Sequence, residues 1–152
     1  MSAHTLILGL GSPILSDDGI GIVMARRLKG RIPGVEAATA AMISLDLLEQ
    51  IAGYRRLFVI DALARPGATP GTLHRLAPES GTLHLFCSHG INFDEILQLG
   101  RQLGTPMPEV SIYGIEIADE IPFGEQLSEL MVEQLEGNLA EIERDIREGI
   151  EP

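Results

Sequence analysis

Three side chains, far apart along the chain, have the types that a divalent metal site needs. Asp18 lies in "GLGSPILSDDGIGI", Gly9 to Ile22, just after an apolar run. Asp61 follows the apolar stretch Leu57 to Ile60, and His89 sits in "SHGINFDEIL", just ahead of a helical pattern. Two carboxylates and an imidazole make a donor set for a borderline ion such as Zn²⁺ or Ni²⁺. Three protein ligands leave coordination positions open for water or substrate, which a structural site does not. Peptide dipoles at a helix start stabilise the Asp18 carboxylate. Near a second helix start they favour the neutral, ligating form of His89.

Each residue also has a plainer use. Asp17 and Asp18 suit a helix N-cap and a first-turn acid, Asp61 can cap a loop, and His89 can be a hydrogen-bonded loop residue. His4, His74 and His84 are expected at the surface or on strand edges, and Cys87 as a small buried hydrophobe. The glycine-rich opening also invites comparison with nucleotide loops. "GLGSPI" supplies Gly9 and Gly11 but has Ile14 where a third glycine belongs. Carboxylates at Asp17 and Asp18 would repel a pyrophosphate. The chain has no Gly-Lys-Ser/Thr and no Gly-x-Ser-x-Gly elbow, which argues against a P-loop and a serine hydrolase.

The elements that must position these residues alternate. Thr5 to Leu10 reads as a buried strand. A helix starts at Asp17 or Asp18, with Ile20, Val23, Met24 and Leu28 on one face and Gly30 as its stop. Gly34 to Ala38 is a weak strand. Ser44 is expected to cap a short helix burying Leu47, Leu48 and Ile51 and ending at Gly53. Leu57 to Ile60 is the clearest strand, expected to stop at Asp61. "ARPGATPG", Ala64 to Gly71, is a loop, and Thr72 to Leu76 a fourth strand entered by a hairpin-like step. Asn92 and Glu95 form a capping box for a helix whose stripe is Phe93, Ile96, Leu97 and Leu103, with Gly104 as its stop. Val110 to Ile117 is a fifth strand. A long helix from about Gly124 carries Leu127, Leu130, Met131, Leu135, Leu139, Ile142 and Ile146 as its core-facing stripe. This order predicts an α/β three-layer sandwich: five strands in a twisted, mostly parallel but mixed sheet, with helices on both faces. Ligands of such sheets sit beyond the carboxyl ends of the strands, where Asp18, Asp61 and His89 are expected to converge.

The 152 residues form a single domain on this reading, and an apolar content of 45% suits a globular core. A formal net charge of −11 argues against nucleic-acid binding. The doublets Arg26-Arg27 and Arg55-Arg56 read as solvated helix ends or loops. A single cysteine allows no internal disulfide. With no signal-peptide pattern and no run of ~20 apolar residues, a cytoplasmic protein with no membrane segment is expected. The single apolar face of the last helix suggests a monomer.

"ILGLGSPILSDDGIGI", "LFVIDAL", "SHGINFDEIL" and "YGIEIADEIPFGEQLS" resemble, in order and over nearly the whole chain, the signature stretches of the nickel–iron hydrogenase maturation proteases. The resemblance implies a five-stranded sheet flanked by helices. It also implies a metal-dependent endopeptidase that removes a short C-terminal extension from the hydrogenase large-subunit precursor after nickel insertion. The family's metal-binding positions fall on Asp18, Asp61 and His89, with nickel supplied by the substrate and zinc able to occupy the site in vitro. Two stretches depart from the pattern. Gly11-Ser12-Pro13 stands where Gly-Asn is usual, and Thr39-Ala40-Ala41 stands where the family tends to carry a glycine pair. The second departure keeps an alternative open: a non-catalytic nickel-site sensor or maturation chaperone on the same fold. Asp17 is the nearest candidate for a general base, and equally a helix cap.

Overall fold

The computed structural model describes residues 4–41, 43–64, 67–76, 93–118 and 123–150. Five strands form one sheet: β1 (Thr5–Leu10), β2 (Val35–Ala40), β3 (Arg56–Ala64), β4 (Leu73–Leu76) and β5 (Glu109–Ile117), in the order β2-β1-β3-β5-β4. The first four in that order are parallel, and β4 runs antiparallel to β5. The sheet is therefore mixed, as expected, but not through a hairpin at Thr72: β3 and β4 do not pair, and β4 takes β5 as its antiparallel neighbour.

Side chains alternate across the pleat and bury on both faces. Ile7, Phe58, Ile60, Tyr113 and Ile115 pack beneath α1 (Ile20–Leu28) and α4 (Glu129–Ile150). Leu6, Leu8, Leu57, Val59 and Ile112 pack beneath α2 (Asp46–Ile51) and α3 (Phe93–Gln102). Helix, sheet and helix make the three layers. Among the described residues, no helix is long and apolar enough to cross a membrane.

The helix stripes mostly hold. Phe93, Ile96 and Leu97 are buried, as are Met131, Leu135, Leu139, Ile142 and Ile146. Leu103 and Leu130 do not join them; both are exposed, because Leu103 lies past the last turn of α3 and Leu130 faces away in the first turn of α4. The last helix starts at Glu129, not near Gly124, since residues 123–128 bond to the β1 loop instead. Ser44 does not cap α2 with its side chain; only its carbonyl is used, accepting from Leu47 N–H. Gly30, Gly53 and Gly104 have φ of +79°, +86° and +76°, the left-handed stops that the pattern implied. Asn92 lies outside the described residues.

Candidate active site

The sheet order places a switch point between β1 and β3. From β1 the chain crosses to β2 on one side, and from β3 it leaves toward β5 and β4 on the other. Loops diverge there and leave a crevice at the carboxyl edge, the usual ligand position of open α/β sheets. Asp18 and Asp61 both lie at this crevice.

The glycines of "GLGSPILSDDGIGI" explain how Asp18 gets there. After β1 the chain makes a single 3-10 turn, Ser16–Gly19, and enters α1. A Cβ on Gly9 would lie 2.2 Å from the Gly21 carbonyl oxygen. One on Gly21 would lie 2.2 Å from the oxygen of Ile60 and 2.4 Å from that of Leu10. One on Gly11 would lie 2.2 Å from the Asp18 oxygen. These glycines let backbone pack on backbone. They seat the first turn of α1 directly on the ends of β1 and β3, so the loop is tightened around its own residues and not shaped around a phosphate.

Asp18 is 1% exposed and Asp61 is fully buried. Asp18 Oδ2 accepts from Ser12 N–H at 2.9 Å, closing the loop across its mouth. Asp61 Oδ1 accepts from Ala62 N–H at 2.8 Å. Asp61 does not end its strand. β3 continues to Ala64 because β5 stays paired with it through Ile117, whereas β1 pairs only as far as Ile60. Asp61 is thus the first residue of β3 beyond its pairing with β1. By pleat alternation it shares a face with Val59, the α2–α3 side. The loops after α2 and α3 meet at the amino edge, through Gly53 N–H to the Pro106 oxygen at 3.1 Å, so α3 begins at the carboxyl edge. His89, expected just ahead of α3, lies outside the described residues, as do Cys87 and His84. Of the three expected ligands, Asp18 and Asp61 are thus described, both buried, one in the turn after β1 and one in β3. Among the described residues no group of three His, Cys, Asp or Glu could hold a metal ion.

Asp17 has a different partner. Its Oδ1 accepts from Ser128 N–H at 2.7 Å and its Oδ2 from the Ser128 hydroxyl at 2.6 Å. Ser128 in turn precedes α4 and receives Met131 N–H on its Oγ at 3.4 Å, an N-cap position. Ser16 N–H donates to the Gly124 oxygen at 2.7 Å, Gly124 N–H to the Ile14 oxygen at 2.8 Å, and the Ser16 hydroxyl to the Gln126 oxygen at 2.7 Å. Ser16 holds φ of +45°, a left-handed conformation costing roughly 1–2 kcal/mol for a side-chain-bearing residue. These distant bonds hold it there. Ser128 was not among the expected site residues, although a serine just before an amphipathic run is an N-cap signal. His4 is exposed, and His74 lies on β4 with Nε2 3.0 Å from Glu116 Oε1, both as expected.

Thr39 and Ala40 do not form a loop. They complete β2, paired with Gly9 and Leu10, and the Ala40 oxygen accepts from Gly11 N–H at 3.2 Å.

The architecture is the α/β fold of the hydrogenase maturation proteases. The Escherichia coli hydrogenase maturating endopeptidase HybD superposes with a TM-score of 0.80 at 22% identity, covering 97% of this chain and 94% of that one. The HycI [NiFe] hydrogenase maturation protease of Thermococcus kodakarensis KOD1 gives 0.70 at 21% identity, covering 92% and 90%. In sequence, the chain is 28% identical over 146 residues to the hydrogenase expression/formation protein HupM of Azotobacter chroococcum mcd 1, covering 91% of this chain and 69% of that protein. No family model matches the chain.

Proposed function

We propose that this protein is a hydrogenase maturation endopeptidase. It removes a C-terminal extension from the large-subunit precursor of a nickel–iron hydrogenase, and nickel arrives as part of that substrate. The observation that carries this reading is the burial of both Asp18 and Asp61 near the switch point of a maturation-protease fold. Carboxylates out of water are costly to hold and gain most from a cation. The residue types fit: hard carboxylate oxygens from the turn after β1 and from β3, with the His89 imidazole as the third donor, suit a borderline divalent ion. A nickel ion held there would polarise the scissile carbonyl or an attacking water. The chain's own part is to fix the precursor's metal against Asp18, Asp61 and His89 and so orient the adjoining peptide bond. Asp17 is not the general base, because both its carboxylate oxygens are engaged by Ser128.

The test is the mass of a nickel-loaded precursor after incubation with the protein. A product shortened at its C-terminus supports the peptidase. An intact precursor in a stable nickel-dependent complex supports the alternative, a sensor or chaperone. That alternative is favoured by one observation: the Thr39–Ala40 segment is strand, where the related pattern has glycines. An intact precursor that does not associate overturns both.

A further inference from the structure

Residues 14–17 are joined to residues 123–128 by a set of hydrogen bonds that the proposed chemistry does not use. We propose that Asp17 is a positioning residue: by gripping Ser128 it fixes the loop that aims Asp18 into the crevice. This rests on the assignment of Asp18 as a metal-facing ligand.

Asp17 is 7% exposed, and Ser128 approaches it with two donors, one from backbone and one from side chain. A carboxylate receiving two short charge-assisted bonds is held in both rotation and translation. Asp18 is the next residue, and its N–H donates to the Leu15 oxygen at 2.9 Å inside the same turn. Leu15 itself forms a parallel bridge with Gly124. The turn is thus fastened to segment 123–128 by its backbone at Ile14 and Ser16, by the Ser16 hydroxyl and by the Asp17 carboxylate. A turn that includes a left-handed serine does not hold that shape unaided. The glycine contacts seat Asp18 from the sheet side, and the Ser128 grip fastens the same turn from the side of segment 123–128. Outer-shell partners that orient a ligand typically change metal affinity about 10- to 100-fold when lost.

The experiment is Ni²⁺ and Co²⁺ titration of the full chain, read by calorimetry and by the Co²⁺ visible spectrum, at a temperature where each variant is folded by circular dichroism. Asp17→Asn preserves shape and the acceptor for Ser128 N–H. It is expected to weaken binding about tenfold and to alter the Co²⁺ spectrum. Ser128→Ala should do the same, and the double variant should be no weaker than either single one, since both remove one contact. Ser128→Thr, which keeps the hydroxyl, should restore affinity to within about twofold of the parent. Asp18→Ala separates the two layers of the argument. If it abolishes binding while Asp17→Asn leaves affinity and spectrum unchanged, the positioning role is overturned and the site stands. If Asp18→Ala leaves affinity unchanged, the metal-site reading itself fails. Additive losses in the double variant would also overturn action through Ser128.

Discussion

The two ends of the β3–β5 pair treat their carboxylates in opposite ways. At the carboxyl edge, Asp18 and Asp61 are buried, and the described hydrogen bonds to them come from backbone N–H groups of Ser12 and Ala62. At the amino edge, a cavity of about 550 Å³ is lined by Arg56, Phe58, Arg75, Tyr113, Asp145 and Glu148, among others. There Asp145 meets Arg75 Nε at 2.6 Å and the Tyr113 hydroxyl at 3.3 Å. A guanidinium cancels a carboxylate's charge, whereas an amide N–H orients it and leaves the charge in place. The amino edge meets its carboxylate with a guanidinium, while at the carboxyl edge backbone N–H groups orient Asp18 and Asp61. Packing follows the same division. At the carboxyl edge the ends of β1 and β3 pack backbone on backbone against α1 through glycines, whereas the amino edge holds the cavity.

The largest effect is expected where the glycine packing is disturbed. In Gly21→Ala the new methyl meets two carbonyl oxygens of β1 and β3 that have no rotamer to change, so destabilisation above about 3 kcal/mol is expected. Gly137→Ala, on α4 with open space around the added carbon, should instead gain about 0.5–1 kcal/mol. Urea midpoints of the two variants check this. Equal, small effects would show that the strand ends are not seated as described.

Next in size is the effect of charge on processing. Asp18→Ala, Asp61→Ala and His89→Ala are each expected to lose more than the tenfold to hundredfold typical of outer-shell changes, while keeping the parental circular dichroism spectrum. Asp145→Asn, at the other edge, should process precursor at the parental rate. Loss of processing in Asp145→Asn, or its retention in Asp61→Ala, would erase the distinction between the edges.

How much of this was legible in the sequence depends on how local the cause is. β1 falls on Thr5–Leu10 as read, because a buried parallel strand is a plain apolar run. Asp18 and Asp61 were legible as ligand types because each follows such a run. The continuation of β3 through Asp61 was not, since it depends on pairing with β5 and a charge normally marks an end. The Asp17–Ser128 contact joins residues 111 apart, so neither helix capping nor periodicity could expose it. The serine alone was readable as a cap; its partner was not. The exposure of Leu103 and Leu130 shows the same limit at helix ends, where a hydrophobic period continues one turn past the packing that would use it.

The smallest effect expected is on stability as pH falls. At the amino edge the hydrogen bond from Arg75, with its charge, holds the Asp145 carboxyl below the usual range, against the opposing effect of burial. Its folded-state value therefore lies below the unfolded value of about 3.9. The stabilisation is complete above that unfolded value and is lost as pH falls through the folded one. Arg75 stays charged throughout, so the carboxyl alone sets the window. Both groups are partly exposed, which limits the contribution to below about 1 kcal/mol. Arg75→Met should therefore be less stable than the parent at pH 6, with the two converging as pH is lowered toward 2, and addition of salt should narrow the gap at pH 6. Urea midpoints across that range measure it. A gap that persists undiminished at pH 2 would mean that the Arg75 stem acts through packing and not through charge, and the amino edge would lose its claim to be the neutralised one.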